Sequence, residues 1–423
     1  MSDALISFGL QRSTRPVDLL LENGSLTEIA ERFGTPCYVY SQRAILTALT
    51  LYQDAFSSMP SLICYAVKAN PNLAILRLLA SHGAGFDIVS GGELQRVLAA
   101  GGNPGRVVFS GVGKSSQEID LALEAGILSF NVESPAELER IAVRARHLGV
   151  CAPVSLRVNP EVDAQTHPYI ATGLRTSKFG IATSTALDLY RKAAASDALR
   201  IVGIDCHIGS QITRLAPFLE AADKVLELIH RLHNEGIHIE HIDLGGGIGI
   251  HYRDEETPSL TAYAEALQSR LSGFDGKILL EPGRSIVGNG GLLLTRVEYL
   301  KSIPERQLVV VDAGMNDLLR PSLYQAWHDI VAVSPSGQDM GEVDVVGPVC
   351  ESSDILGTAR RLPVQAGDLL AVLSCGAYGA SMGSQYNSRP RPPEVLVNGQ
   401  QISLIRRRDT FNDMVATETL PED

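Results

Sequence analysis

LICYAVKANPNLAILRLLASHGAGFDIVSGGE, residues Leu62–Glu93, holds one complete structural unit and the start of the next. The apolar run Leu62–Val67 reads as a buried strand, and a polar loop follows it. Leu73, Leu76, Leu79 and Ala80 then fall on one helical face, and Gly83 closes the helix. A second strand, Gly85–Val89, leads into Ser90 and Glu93, the S-x-x-E signature of a helix start. Lys68 therefore follows a strand and precedes a helix expected to be capped by Asn70, with Pro71 at its first position.

The unit recurs outward from this stretch. The remaining strand-like runs are Arg106–Phe109, Leu128–Val132, Pro153–Val158, Val202–His207, His241–Leu244 and Lys277–Leu280. S-x-x-E returns at Ser115/Glu118 and at Ser134/Glu137, the latter with Pro135 at the first helical position, and Gly101, Gly126 and Gly149 close helices. Alternating strands and helices imply a parallel sheet with right-handed crossovers. Eight units in about 220 residues fit a TIM-like (β/α)₈ barrel over residues 44–284. A doubly wound sheet is the alternative on pattern alone.

Past Arg284 the long helices stop. Gly291–Tyr299, Gln307–Val311, Asp329–Val333, Glu342–Val349, Leu369–Ser374 and Glu394–Ile405 predict an antiparallel β domain over 285–423, with Asn398-Gly399 as a two-residue hairpin turn. Residues 1–43, with the strand-like Cys37–Tyr40, are expected to join it.

The 423 residues, 45% apolar and 20% charged, are an ordinary globular composition. The net charge of −12, from 36 basic and 48 acidic residues, argues against nucleic acid or an anionic membrane as main partner. No apolar run approaches a membrane span, and Met1–Leu10 lacks the basic start of a signal peptide. Six scattered cysteines without CxxC spacing suit a reducing cytoplasm.

Polar residues gather just past the strands: Lys68 and Asn70, then Asp87 and Ser90, Arg157 and Asn159, His207 to Gln211, the Gly245–Gly249 glycine cluster, and Glu281-Pro282-Gly283-Arg284. A barrel would bring them to one rim, where barrel enzymes build their sites. Each has a plainer reading. Lys68 alone could be a lysine snorkelling at a strand end, but on a closed rim its ammonium loses solvation and it becomes a carbonyl-directed nucleophile. Glu281 could be a structural ion-pair partner of Arg284 or Arg157, or an acid–base partner for a heterocyclic nitrogen. His207 could be a satisfied core histidine. The glycines lack the GxGxxG and Walker-lysine patterns; they form either a tight turn or a cradle for an anion. His230, His233, His238 and His241 come with no recognisable ligand set, so no metal site is expected. Asp254-Glu255-Glu256 and Arg406-Arg407-Arg408 read as solvated faces, and no G-x-S-x-G elbow supports a serine hydrolase.

A Schiff-base lysine, a phosphate cradle and a carboxylate on one rim suggest pyridoxal phosphate, and here the chain resembles the barrel-type pyridoxal-phosphate decarboxylases of alanine-racemase-like fold. The resemblance covers nearly the whole chain and rests on Y-A-V-K-A-N (Tyr65–Asn70), F-D-x-x-S-G-G-E-L (Phe86–Leu94), H-I-G-S-Q (His207–Gln211), G-G-G-x-G (Gly245–Gly249), E-P-G-R (Glu281–Arg284), G-P-V-C-E-S-S-D (Gly347–Asp354) and G-A-Y-G (Gly376–Gly379). His167–Gly173, Ser177–Gly180 and Arg320–Tyr324 look like the diaminopimelate branch rather than the ornithine branch.

The resemblance implies that Lys68 carries the cofactor, with Asp87 beside it. His207 would stack on the pyridine ring and Glu281 pair with its nitrogen. Ser210, Gly246, Gly247 and the Pro282-Gly283 turn would take the phosphate, with Tyr378 at its edge. Arg284, Arg320, Tyr324, Glu351 and Tyr378 would hold the substrate, meso-diaminopimelate, whose decarboxylation gives L-lysine. Cys350, a general acid, and Glu351 would come from the second subunit of a cytoplasmic homodimer. Ornithine lacks a distal carboxylate, so arginines at 284 and 320 favour a diacid. Decarboxylases of ornithine, arginine or carboxynorspermidine are the nearest rivals. Cys350 argues against alanine racemase, and intact Lys68, Glu281 and Cys350 argue against a non-catalytic homologue.

Overall fold

A computed structural model describes residues 9–14, 17–164, 178–337 and 339–421. The chain forms two compact units. One comprises Ala48–Ile250 and Glu255–Ile286; the other comprises Met1–Thr47, His251–Asp254 and Val287–Asp423.

The first unit is a closed barrel of eight parallel strands: Ser61–Ala66, Gly85–Ile88, Val107–Phe109, Ser129–Val132, Ala152–Asn159, Leu199–Asp205, His241–Asp243 and Lys277–Leu280. Closure is direct, since Leu279 pairs with Leu62 and Phe130 with Val154. A short extra strand, Ile181–Ala182, lies alongside Ala152–Asn159. Leu62, Cys64, Val108 and Leu279 fill part of the barrel interior.

Local signals place the helices. Ser90, Ser115 and Ser134 each accept the backbone N–H of the glutamate three residues on, satisfying a donor that the first helical turn leaves orphaned. Gly126 and Gly149 end their helices in the left-handed conformation, which a Cβ disfavours. The helix after Lys68 departs from expectation. It runs Leu73–Ser81 with Asn72, not Asn70, as its cap, and Leu73 is exposed. Pro71 forces the preceding Asn70 into extended backbone. Val67–Ala69 instead form one tight turn that carries Lys68.

The second unit is built on a mainly antiparallel sheet of order Ile355–Pro363, Asp339–Val346, Arg306–Val311, Gly291–Ile303, Cys37–Ser41, Glu394–Asn398, Gln401–Arg406. Leu369–Val372 and Ile330–Ala332 extend it from Gly291–Ile303. Two pairings are parallel: Cys37–Ser41 with Glu394–Asn398, and Arg306–Val311 with Asp339–Val346. Gly399 takes a positive φ at the hairpin turn. Two features went unread in the sequence. Ile355–Pro363 is a strand, masked by Arg360 and Arg361, and Leu10–Thr14, Val17–Leu21 and Gly24–Ser25 form a small sheet of their own. Leu10, Leu19 and Leu26 share a core with Val39, Leu294 and Val397.

Candidate active site

In the barrel unit, the carboxyl ends of the strands gather the residues singled out above. Lys68 Nζ donates to Asp87 Oδ2 at 2.8 Å. Asp87 is fully buried, and its Oδ1 has no hydrogen-bond partner among the described residues. Half-buried His207 accepts the Gly246 N–H at Nδ1 (3.2 Å), which puts the ring hydrogen on Nε2. Desolvation, reinforced by the charges of Arg157 and Lys68, pushes its pKa well below the usual histidine range, so the ring is neutral.

The glycine cluster and the His207 loop are laced together. Ile212 N–H donates to the Gly247 carbonyl, Gly249 N–H donates to Ile212, and Gln211 bonds both polar groups of Ile250. A Cβ on Gly246 would collide with the Glu281 carbonyl oxygen, and one on Gly247 with that of Gly209. Only bare backbone fits at either position, so the His207 loop, the glycine cluster and the Glu281 turn pack main chain against main chain. Ser210 Oγ accepts from Arg284 Nη2 at 3.1 Å. Pro282 accepts the Ala66 N–H, and Gly283 packs against Ala66 and Ala69, flanking Lys68.

Glu281 is buried and accepts from Asn131 Nδ2 at 3.3 Å, with Ser110 Oγ at 3.4 Å. Two residues missed in the sequence stand beside it. Asp205 and Asp243 lie at strand ends, and one carboxylate oxygen from each of the three acids falls within 4.8 Å of the others. Burial, then the neighbouring carboxylates, push Glu281 well above its usual range. Burial likewise raises Asp243 to about 7, against an opposing hydrogen bond from Gly245 N–H. The sequence did hold a signal, a lone aspartate ending an apolar strand in I-D-C and again in I-D-L. Arg157 is the nearby cation, 3.0 Å from Glu133 and 3.8 Å from Asp205. Burial opposes its charge, but those carboxylates outweigh it and keep it ionised.

These residues fit pyridoxal phosphate: a primary amine on a tight turn, a main-chain cradle suited to a phosphate, a buried carboxyl for a ring nitrogen and an orphaned oxygen on Asp87 beside the amine.

The second unit carries the other residues. Arg320 is buried at the head of the helix Arg320–Tyr324, and Tyr324 is half-buried. Tyr378, also half-buried, has a φ of 58°. Cys350 is an exposed thiol whose backbone N–H donates to Asn387 Oδ1, and exposed Glu351 accepts from Tyr386. Asp354 shapes this turn by accepting the N–H groups of Val349 and Met315. His167–Gly173 and Ser177, including Tyr169, lie outside the described residues.

Comparison with known proteins agrees with this chemistry. Residues 42–288 match the family described as pyridoxal-dependent decarboxylase, pyridoxal binding domain. Diaminopimelate decarboxylase of Pseudomonas aeruginosa is 55% identical over 96% of this chain and 98% of its own, and that of Vibrio cholerae 52% over 96% and 97%. The crystal structure of Helicobacter pylori diaminopimelate decarboxylase complexed with L-lysine has a TM-score of 0.90 at 47% identity, covering 93% of this chain and 98% of that one. The M. jannaschii enzyme reaches 0.93 at 39% identity over 99% of both. The chain belongs to the pyridoxal-dependent decarboxylases, and within them to the diaminopimelate decarboxylases.

Proposed function

We propose that the protein removes one carboxylate of meso-2,6-diaminopimelate to give L-lysine and carbon dioxide, the last step of lysine biosynthesis. The observation that carries this reading is end-to-end similarity of about half the residues to diaminopimelate decarboxylases. The lysine, carboxyl and arginine chemistry of the chain is consistent with it.

When bound, pyridoxal phosphate supplies a protonated aromatic ring that accepts the electron pair left as carbon dioxide departs. The chain's own residues do the rest. Residues 44–284 form the cofactor-binding part, with 1–43 and 285–423 as the β domain. Lys68 holds the cofactor covalently, and Asp87 fixes its amine. Glu281 keeps the ring nitrogen protonated, and neutral His207 lies against the ring without adding charge. Ser210, Gly246, Gly247 and the Pro282-Gly283 turn take the phosphate, with Tyr378 at its edge. Arg284 and Arg320, with Tyr324, grip carboxylate, and Glu351 takes the distal ammonium. Cys350 Sγ then gives its proton to the carbon that lost the carboxylate. Its exposure on this chain supports a site completed by a second copy, hence a homodimer. A reducing cytoplasm suits six free thiols, and no described helix is long and apolar enough to cross a membrane.

The test is to incubate purified protein, with and without pyridoxal phosphate, with diaminopimelate, ornithine or arginine, and to measure carbon dioxide and amine. Cofactor-dependent lysine from diaminopimelate is expected. Product from ornithine or arginine in its place would overturn the substrate assignment.

A further inference from the structure

Arg320 is held by two residues that the chemistry above does not use. Its Nη1 donates to Tyr252 Oη at 2.7 Å and lies 3.1 Å from His328 Nε2. His328 is fully buried, and its Nδ1 lies 2.8 Å from the Leu373 carbonyl oxygen. A carbonyl can only accept, so Nδ1 carries the hydrogen and Nε2 must be the acceptor facing Arg320. Tyr252 and His328 meet edge to face at 5.3 Å, and the guanidinium carbon lies 4.8 Å from the Tyr252 ring centre. Two hydrogen bonds and an aromatic face thus fix the plane of the guanidinium as well as its position.

This arrangement has a chemical consequence. With both Nη1 hydrogens committed, a carboxylate can be gripped bidentately only through the Nε–Nη2 edge. Which way that edge points is set by Tyr252 and His328.

We propose that Tyr252 and His328 are positioning residues that orient Arg320 to receive the distal carboxylate of the substrate, and so help the enzyme select a diacid. The inference rests on the substrate-binding role given to Arg320 above.

The test compares Tyr252→Phe, His328→Phe, His328→Gln and Arg320→Ala holoenzymes. Tyr252→Phe keeps the ring and removes only the acceptor; His328→Gln keeps an acceptor and guards against a folding defect in His328→Phe. Misorienting a group that binds ground and transition states alike raises KM more than it lowers kcat. Loss of one charge-assisted hydrogen bond should raise KM for diaminopimelate about tenfold. The inhibition constant of L-lysine, which retains the distal carboxylate, should rise in parallel, while that of pentane-1,5-diamine, which has none, changes less than about twofold. A general packing defect would move both inhibitors together. His328→Gln should recover most of the loss, and Tyr252→Phe should add nothing in an Arg320→Ala background. Arg320→Ala with unchanged KM would overturn the binding role and this inference together. A large effect in Arg320→Ala with none in Tyr252→Phe and His328→Phe, or equal loss of both inhibitors, would overturn the positioning role alone.

Discussion

Asp243→Asn should make the cofactor-free protein more stable at pH 8, although it replaces a fully buried residue at the proposed active site. The aspartate lies against Glu281 and Asp205, and burial lifts its carboxyl from 3.8 to about 7. One pKa unit corresponds to about 1.4 kcal/mol, so the ionised side chain costs the folded state on the order of 4 kcal/mol. The sign follows from linkage. Between the unfolded and folded values the native state binds more protons than the unfolded one, so stability falls as pH rises through that window and the full cost is present above it. Asparagine carries no charge and keeps an oxygen for the Gly245 N–H bond. The gain should be roughly 2–4 kcal/mol at pH 8 and shrink toward zero near pH 4. Urea unfolding of both apoproteins across that range measures it. A variant no more stable than the parent at pH 8 would refute the reasoning. Turnover should fall at the same time, because charge held against its own stability is a common mark of a working site.

Three further outcomes are expected. Lys68→Ala should leave no covalently held cofactor, seen as loss of the bound cofactor's long-wavelength absorbance, and no turnover; normal turnover would disprove its assignment. Cys350→Ala should retain cofactor but lose about a hundredfold or more in kcat, and subunit exchange with Lys68→Ala protein should restore part of the activity if sites are shared. Gly246→Ala should weaken cofactor binding and cost about 1–3 kcal/mol in stability by overpacking, because its Cβ would meet the Glu281 carbonyl; equal pyridoxal phosphate affinity by equilibrium titration would count against a main-chain cradle.

The barrel was legible because its information is local. A short apolar run, a serine cap and a closing glycine repeat at each unit, and Lys277–Leu280 was bounded to the residue. The shift of the helix start from Asn70 to Asn72 came from the constraint Pro71 places on its neighbour. Lys68, His207 and Glu281 stand out because each breaks an apolar strand with a chemically expensive group. Asp205 and Asp243 break strands in the same way but lie in no motif, and their meaning depends on neighbours that only the closed sheet supplies. Tyr252 and His328 were harder still. Nothing in their flanking sequence announces a hydrogen bond to Arg320, which joins residues 68 and 8 positions apart.

The strand Cys37–Ser41 precedes the whole barrel in the chain, yet both its neighbours follow the barrel: Gly291–Ile303 on one side and Glu394–Asn398 on the other. During synthesis its edges wait for these partners while the whole barrel emerges, and the second edge is covered only when Glu394–Asn398 arrives. Such an exposed edge is a template for foreign strands. Nascent chains stalled after the barrel should therefore depend on chaperones more than the finished protein does. Moving Cys37–Ser41 to follow the barrel by circular permutation should relieve that dependence without altering a single native contact of the strand.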